Sequence, residues 1–113
     1  MFISYDMLRT AGACQEQRVL FRRYFPDGVE VTRDLCVQYA QEFDFAWAGH
    51  NLLHGSKLVE FSKGECELFD AKIEVLWDLF DLGQEACASI DAIRVKYQVG
   101  VAELFAKCAV GGE

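Results

Sequence analysis

The feature that most constrains this chain is an apolar repeat through its second half. Leu68, Ala71, Val75, Leu79, Leu82, Ala86, Ile90, Ile93, Tyr97, Val101, Leu104 and Cys108 follow one another at steps of three and four residues. A strand turns alternate residues to opposite faces and cannot gather such a series on one side, whereas a helix can. The steps recur as 3, 4, 4, an eleven-residue period over three helical turns, so the stripe runs almost straight along the helix. A second stripe, Ala88, Ala92, Val95, Val99, Ala102, Ala106 and Val110, lies beside it toward the C-terminus, and Ile73, Leu76, Trp77 and Phe80 widen the apolar face earlier. One continuous helix from about Glu65 to Cys108 would be roughly 65 Å long, against a radius of gyration of about 13 Å for a compact domain of this size. The helix must therefore break, with Gly83 or Gly100 as the place, or project and pair with another chain. Glycine costs about 1 kcal/mol in a helix interior, which weakens a helix without forcing a break. The expectation is of long helices that pack on each other, bent near Gly83.

The first half carries shorter signals. Ser4 can cap a helix over Tyr5–Ala11 that Gly12 ends. A second helix is predicted over Ala13–Tyr24, with Pro26-Asp27-Gly28 as a turn and Val29-Glu30-Val31 as an extended link. Thr32 then caps a helix over Arg33–Phe43, and Asp44 caps another over Phe45–Leu53, closed by His54-Gly55. A single domain over 1–113 is expected, all-α, with short N-terminal helices clustered over 1–55 and one or two long amphipathic helices over 56–113. A lone proline and few turn clusters point away from an all-β fold.

Charge is unevenly placed. Of the 113 residues, the first 33 hold five basic and four acidic groups, whereas residues 60–91 hold nine acids against Lys63 and Lys72. Within that stretch Glu67, Asp70, Glu74, Asp78, Asp81 and Glu85 are spaced 3, 4, 4, 3, 4, each one residue ahead of a member of the apolar stripe. Like charges at these separations cost about 0.2–0.5 kcal/mol per pair. A face serving only solubility would interleave bases, as Arg94, Lys96 and Lys107 do further on. The six carboxylates are therefore candidate contacts for a basic protein surface, imitating a phosphate backbone or docking an arginine and lysine patch. Direct nucleic-acid binding is not expected of this half. Residues counted as hydrophobic make up 52% of the chain, and 9 glycines bring this to about 60%, against a typical 45–50%; that is more than a small monomer easily hides, so a second chain or a partner is favoured, and a homodimer is expected. Leu79, Leu82, Ile90, Ile93, Tyr97, Val101 and Leu104 are its candidate contacts.

Other chemistry finds little footing. Cys14, Cys36, Cys66, Cys87 and Cys108 are scattered, odd in number and never C-x-x-C, which fits reduced, buried structural thiols in a cytoplasmic protein. His50 and His54 stand four apart, yet no carboxylate or cysteine sits at a matching local spacing, so capping or packing is expected of them and no metal. Cys14 near a helix start could be activated, but both histidines lie in another segment. Phosphate-loop, dinucleotide and zinc-protease motifs are absent. No catalytic residue and no cofactor is expected. The aromatic run Phe43-Asp44-Phe45-Ala46-Trp47 is expected in the core, as are Trp77 and Phe80 unless they meet another subunit. No apolar run approaches the ~20 residues of a membrane span, and the N-terminus has neither the basic nor the apolar region of a signal peptide. A helix-turn-helix using the third and fourth helices is conceivable, but the fourth has no arginine or lysine to reach DNA. Arg18, Arg22, Arg23 and Arg33 would be the contact face of such a regulator.

Leu8-Arg9, Ala11-Gly12-Ala13-Cys14, Leu20-Phe21-Arg22, Phe25-Pro26-Asp27-Gly28-Val29-Glu30-Val31-Thr32, Leu35-Cys36-Val37, Phe43 through Ala48 and Asn51-Leu52-Leu53 form a pattern over residues 3–53. It resembles small proteins of phages and prophages of proteobacteria. Relatives of that kind often follow this half with a repeat-rich helical segment; the tail here is helical in pattern but lacks near-identical repeats. The resemblance implies a mobile-element origin. Small acidic phage proteins often block host defences, as anti-CRISPR proteins do, so the implied role is a non-catalytic inhibitor of a host defence or nucleic-acid-handling complex. The alternatives are a phage assembly protein that oligomerises through the apolar stripes, or a small transcriptional regulator.

Overall fold

The computed structural model describes residues 1–81 and 87–110, with side chains described for 1–78 and 90–110. Six helices lie within these residues: α1 (Tyr5–Ala11), α2 (Gln15–Tyr24), α3 (Arg33–Gln38), α4 (Phe45–Leu52), α5 (Ser56–Asp81) and α6 (Cys87–Val110). Two short strands, β1 (Phe2–Ile3) and β2 (Val29–Glu30), pair antiparallel with Phe2 opposite Glu30 and Ile3 opposite Val29. The architecture is a cluster of short helices on a pair of long ones, as the sequence pattern predicts.

The short helices start where polar side chains can satisfy their free N–H groups. Ser4 accepts from the Met7 amide at 3.3 Å, Thr32 from Leu35 at 3.2 Å and Asp44 from Trp47 at 3.0 Å. Gly12 ends α1 in the left-handed region, at φ 88°. Gly28, at φ 85°, closes the turn into β2, where an added Cβ would meet the Phe2 ring and lie 2.9 Å from the Ile3 carbonyl. The extended link foreseen at Val29–Val31 is thus β2, and its partner Phe2–Ile3 was not foreseen because two residues are too few to show a period.

The third helix is shorter than its apolar spacing suggests. It ends at Gln38, and residues 39–43 turn so that Tyr39 and Phe43 meet Tyr24 and Phe25 with ring centres 5.1–6.3 Å apart. Gln17 of α2 fastens this turn: its carboxamide donates to the Glu42 carbonyl at 3.3 Å and accepts from the Asp44 amide at 3.2 Å.

The long segment is not one helix. Leu104 packs against Gly64, Leu68 against Gly100, and Phe69 and Lys72 against Tyr97. Each advance along α5 is matched by a retreat along α6, so the two form an antiparallel hairpin. Gly83 lies outside the described residues, whereas Gly100 sits inside an uninterrupted α6. Gly100 is no break because its missing side chain admits Leu68; a Cβ there would lie 3.2 Å from that leucine. α5 begins at Ser56, where the long helical segment is expected to start, ahead of the first members of the apolar stripe.

The core lies at the root of the hairpin. Phe61, Val101, Ala102, Phe105, Ala106, Cys108 and Ala109 are buried there, and α6 packs on α3, α4 and α5 together. Gly49 of α4 lies against the Phe61 ring so closely that any Cβ would collide with it. Phe45, Trp47 and Phe43 pack against this core, which places the aromatic run where the sequence predicts it. The expected burial of the thiols holds for Cys36 and Cys108 but not for Cys14 and Cys66, which are exposed; the Cys87 side chain lies outside the described residues.

Candidate interaction surface

Beyond the core the hairpin continues as an arm, and the longest dimension of the molecule is 48 Å. Glu67, Asp70, Glu74 and Asp78 are all exposed along α5. Relative to Leu68, which faces α6, the helical repeat of 100° per residue carries Glu67, Glu74 and Asp78 to one flank and Asp70 somewhat further round. None of the four has an ion-pair partner among the described residues. Asp81 falls at the end of α5, and its side chain, like all of Glu85, lies outside the described residues. The other nearby acids are engaged: Glu60 faces Lys107 at 4.0 Å, Glu103 holds Arg33 at 3.3 Å and Glu65 meets His50 at 2.8 Å.

The candidate oligomerisation residues divide. Val101 is 3% exposed and packs within the chain, so the folded hairpin does not present it to a second copy, whereas Leu104 is half-buried over Gly64 and lines the open α5/α6 seam. Tyr97 is similarly engaged, edge-on to Phe69 and beneath the Lys72 ammonium, 4.6 Å from the ring centre. Burial, with the carboxylate of Glu65 and then Cys66 nearby, holds its phenol above the ordinary value. Ile93 is half-buried and Ile90 is 49% exposed. The side chain of Leu79 and all of Leu82 lie outside the described residues. Val75 at 45% and Trp77 at 61% exposure show that apolar surface is displayed on the arm. This display was legible only once the chain was seen to double back, because the arm outreaches the short-helix cluster.

A groove follows the α5/α6 seam. One section, about 870 Å³, has Gly64, Leu68, Gly100 and Leu104 along it, with Glu67 and Arg33 at its edges. Another, about 470 Å³, continues outward past Ala71, Val75 and Ile93, sharing Leu68, Gly100 and Glu103 with the first. Sequence spacing could not show this groove, since it is made by glycines from two helices meeting leucines of the opposite one.

The remaining candidates are structural in their contacts. His50 lies edge-on to Phe61 and bonds Glu65, joining α4 to α5, while His54 is exposed past the end of α4. Among the described residues no three metal-ligating side chains converge. Cys14 occupies the N-cap position of α2 without making a side-chain cap bond. Of the arginines, Arg33 holds Glu103 and Arg22 lies over the Tyr5 ring at 3.9 Å. A small apolar cavity of about 70 Å³ lies inside the short-helix cluster against Cys36, whose thiol burial pushes up to about 12. Among the described residues no helix is long and apolar enough to cross a membrane. Comparison with known proteins finds no matching family model, no matching curated protein and no matching solved structure.

Proposed function

We propose that this chain is a non-catalytic interaction protein whose α5 flank engages a basic protein surface. In the cell that surface belongs to a host defence or nucleic-acid-handling complex, and the chain acts as a phage-borne, anti-CRISPR-like inhibitor in the host cytoplasm. The observation that carries this is the exposure of Glu67, Asp70, Glu74 and Asp78 with no cation of the described residues paired to them. A row of like charges is held at a cost of about 0.2–0.5 kcal/mol per pair, and a cationic partner removes that cost on binding. The test is a pull-down from host lysate with the tagged chain, using Glu74→Lys with Asp78→Lys as control bait. A nucleic-acid-handling complex captured by the wild type and lost by the reversal supports the proposal. The same captured proteins on both baits would overturn it.

The exposure of Val75 and Ile90 favours a second role, assembly of a phage structure through the arm's apolar surface. In that case Ile90→Asp and Ile93→Asp abolish function and the charge reversals leave it intact.

A further inference from the structure

The acidic flank and the seam groove adjoin, and together they define a partner more narrowly than charge alone does. The groove is apolar along Leu68, Ala71, Val75 and Ile93, and Glu67 lines its inner section. Glu74 and Asp78 follow Glu67 on the same flank at steps of seven and four, so the acidic wall continues outward beside the groove. The opposite wall is closer to neutral: Arg33 is held by Glu103 and Lys107 faces Glu60 at the inner section, while Lys96 lines the outer section together with Lys72 of α5, whose ammonium lies over the Tyr97 ring. One wall therefore carries unbalanced negative charge and the other does not.

We infer that the groove receives an amphipathic helix of the partner, with an apolar ridge seated along the α5/α6 seam and a lysine- or arginine-rich edge turned toward Glu67, Glu74 and Asp78. This rests on the proposed function and names the partner's chemistry. Side chains three and four apart on a helix form a ridge that a long, straight apolar groove can take, and a basic edge on one side fixes its orientation. A second copy of this chain fits poorly as occupant. Residues 60–91 sum to −7, so two arms laid together would set acidic walls against each other.

The test uses the full chain and a synthetic helical peptide of about five turns, with leucines along one face and lysines along the edge, titrated calorimetrically. A peptide of the same composition scrambled to destroy the apolar ridge is the control. The ridged peptide should bind at least about tenfold more tightly than the scrambled one, a difference equal to about 1.4 kcal/mol. Ala71→Gln, at an exposed position in the groove, should erase that preference, and Glu74→Lys with Asp78→Lys should weaken both peptides. Circular dichroism of each variant confirms that the helices persist. Equal binding of the two peptides would sink the groove while leaving the acidic flank as a contact surface. Binding of neither would remove both ideas. A stable dimer of the chain that the peptide fails to dissociate would assign the groove to a second copy and overturn the inference.

Discussion

The two ends of the α5/α6 hairpin are built from the same kind of sequence and are used differently. At the root, Phe61, Val101 and Phe105 are buried and α6 touches three other helices. Outward, Val75, Trp77 and Ile90 remain about half or more exposed although they belong to equally apolar stretches. The difference is in what lies behind each helix. The short-helix cluster backs the root, and past it, among the described residues, the two long helices have each other for cover. Hydrophobic periodicity thus specifies which side of a helix seeks cover, and chain length around it decides whether cover is found.

The comparison can be broken most forcefully at the root. Phe61→Ala or Phe105→Ala should cost about 3–5 kcal/mol in denaturant unfolding, as fully buried aromatics do. Val75→Ala or Ile90→Ala on the arm should cost well under half of that. Comparable losses at both ends would mean that the arm is covered in solution.

Next in size is an alkaline effect led by a thiol of the core. The Cys36 thiol is raised by burial from 9.0 to about 12. The unfolded chain therefore loses this proton first, and the stability that the neutral buried thiol supplies below pH 9 is lost as pH rises to about 12. Denaturant unfolding across this window should show a decline that Cys36→Ala reduces. Below pH 9 thiol reagents should label Cys14 and Cys66 in the folded protein and leave Cys36 and Cys108 untouched.

Smaller effects sharpen the division. Gly49→Ala forces a Cβ into the Phe61 ring and should destabilise by about 1–3 kcal/mol. Asp44→Ala removes the α4 cap and should cost about 0.5–2 kcal/mol. Glu74→Lys with Asp78→Lys on the arm should change stability by less than about 1 kcal/mol, in the stabilising direction, because the repulsion between positions 70 and 74 becomes attraction while that between 74 and 78 keeps its sign. A large loss there would show that the acids hold the arm's own structure.

Much of the fold was legible because its signals are local. Ser4, Thr32 and Asp44 cap where their side chains and the following apolar spacing indicate, and Gly12 ends α1 as a glycine at that point should. The misjudged features depend on distant partners. The third helix stops early because Tyr39 and Phe43 are drawn to Tyr24 and Phe25, and Gln17 holds the turn from another helix. That Gly64 of α5 is where Leu104 fits likewise depends on a partner in α6. Among the candidate contacts, the exposed line Glu67, Asp70, Glu74 and Asp78 follows from helical spacing alone. The inward commitment of Val101 does not, since one apolar stripe serves the core at one end and the surface at the other.

The position of α6 has a consequence for how the protein comes into being. It is synthesised after every other described helix, yet its residues Val101–Ala109 complete the core against α3, α4 and α5. Until they emerge from the ribosome, α4 and α5 can meet each other but the faces of α3, α4 and α5 turned toward α6 lack their cover. The apolar surface that α6 covers on α3, α4 and α5 is therefore exposed on the nascent chain until that helix has been made.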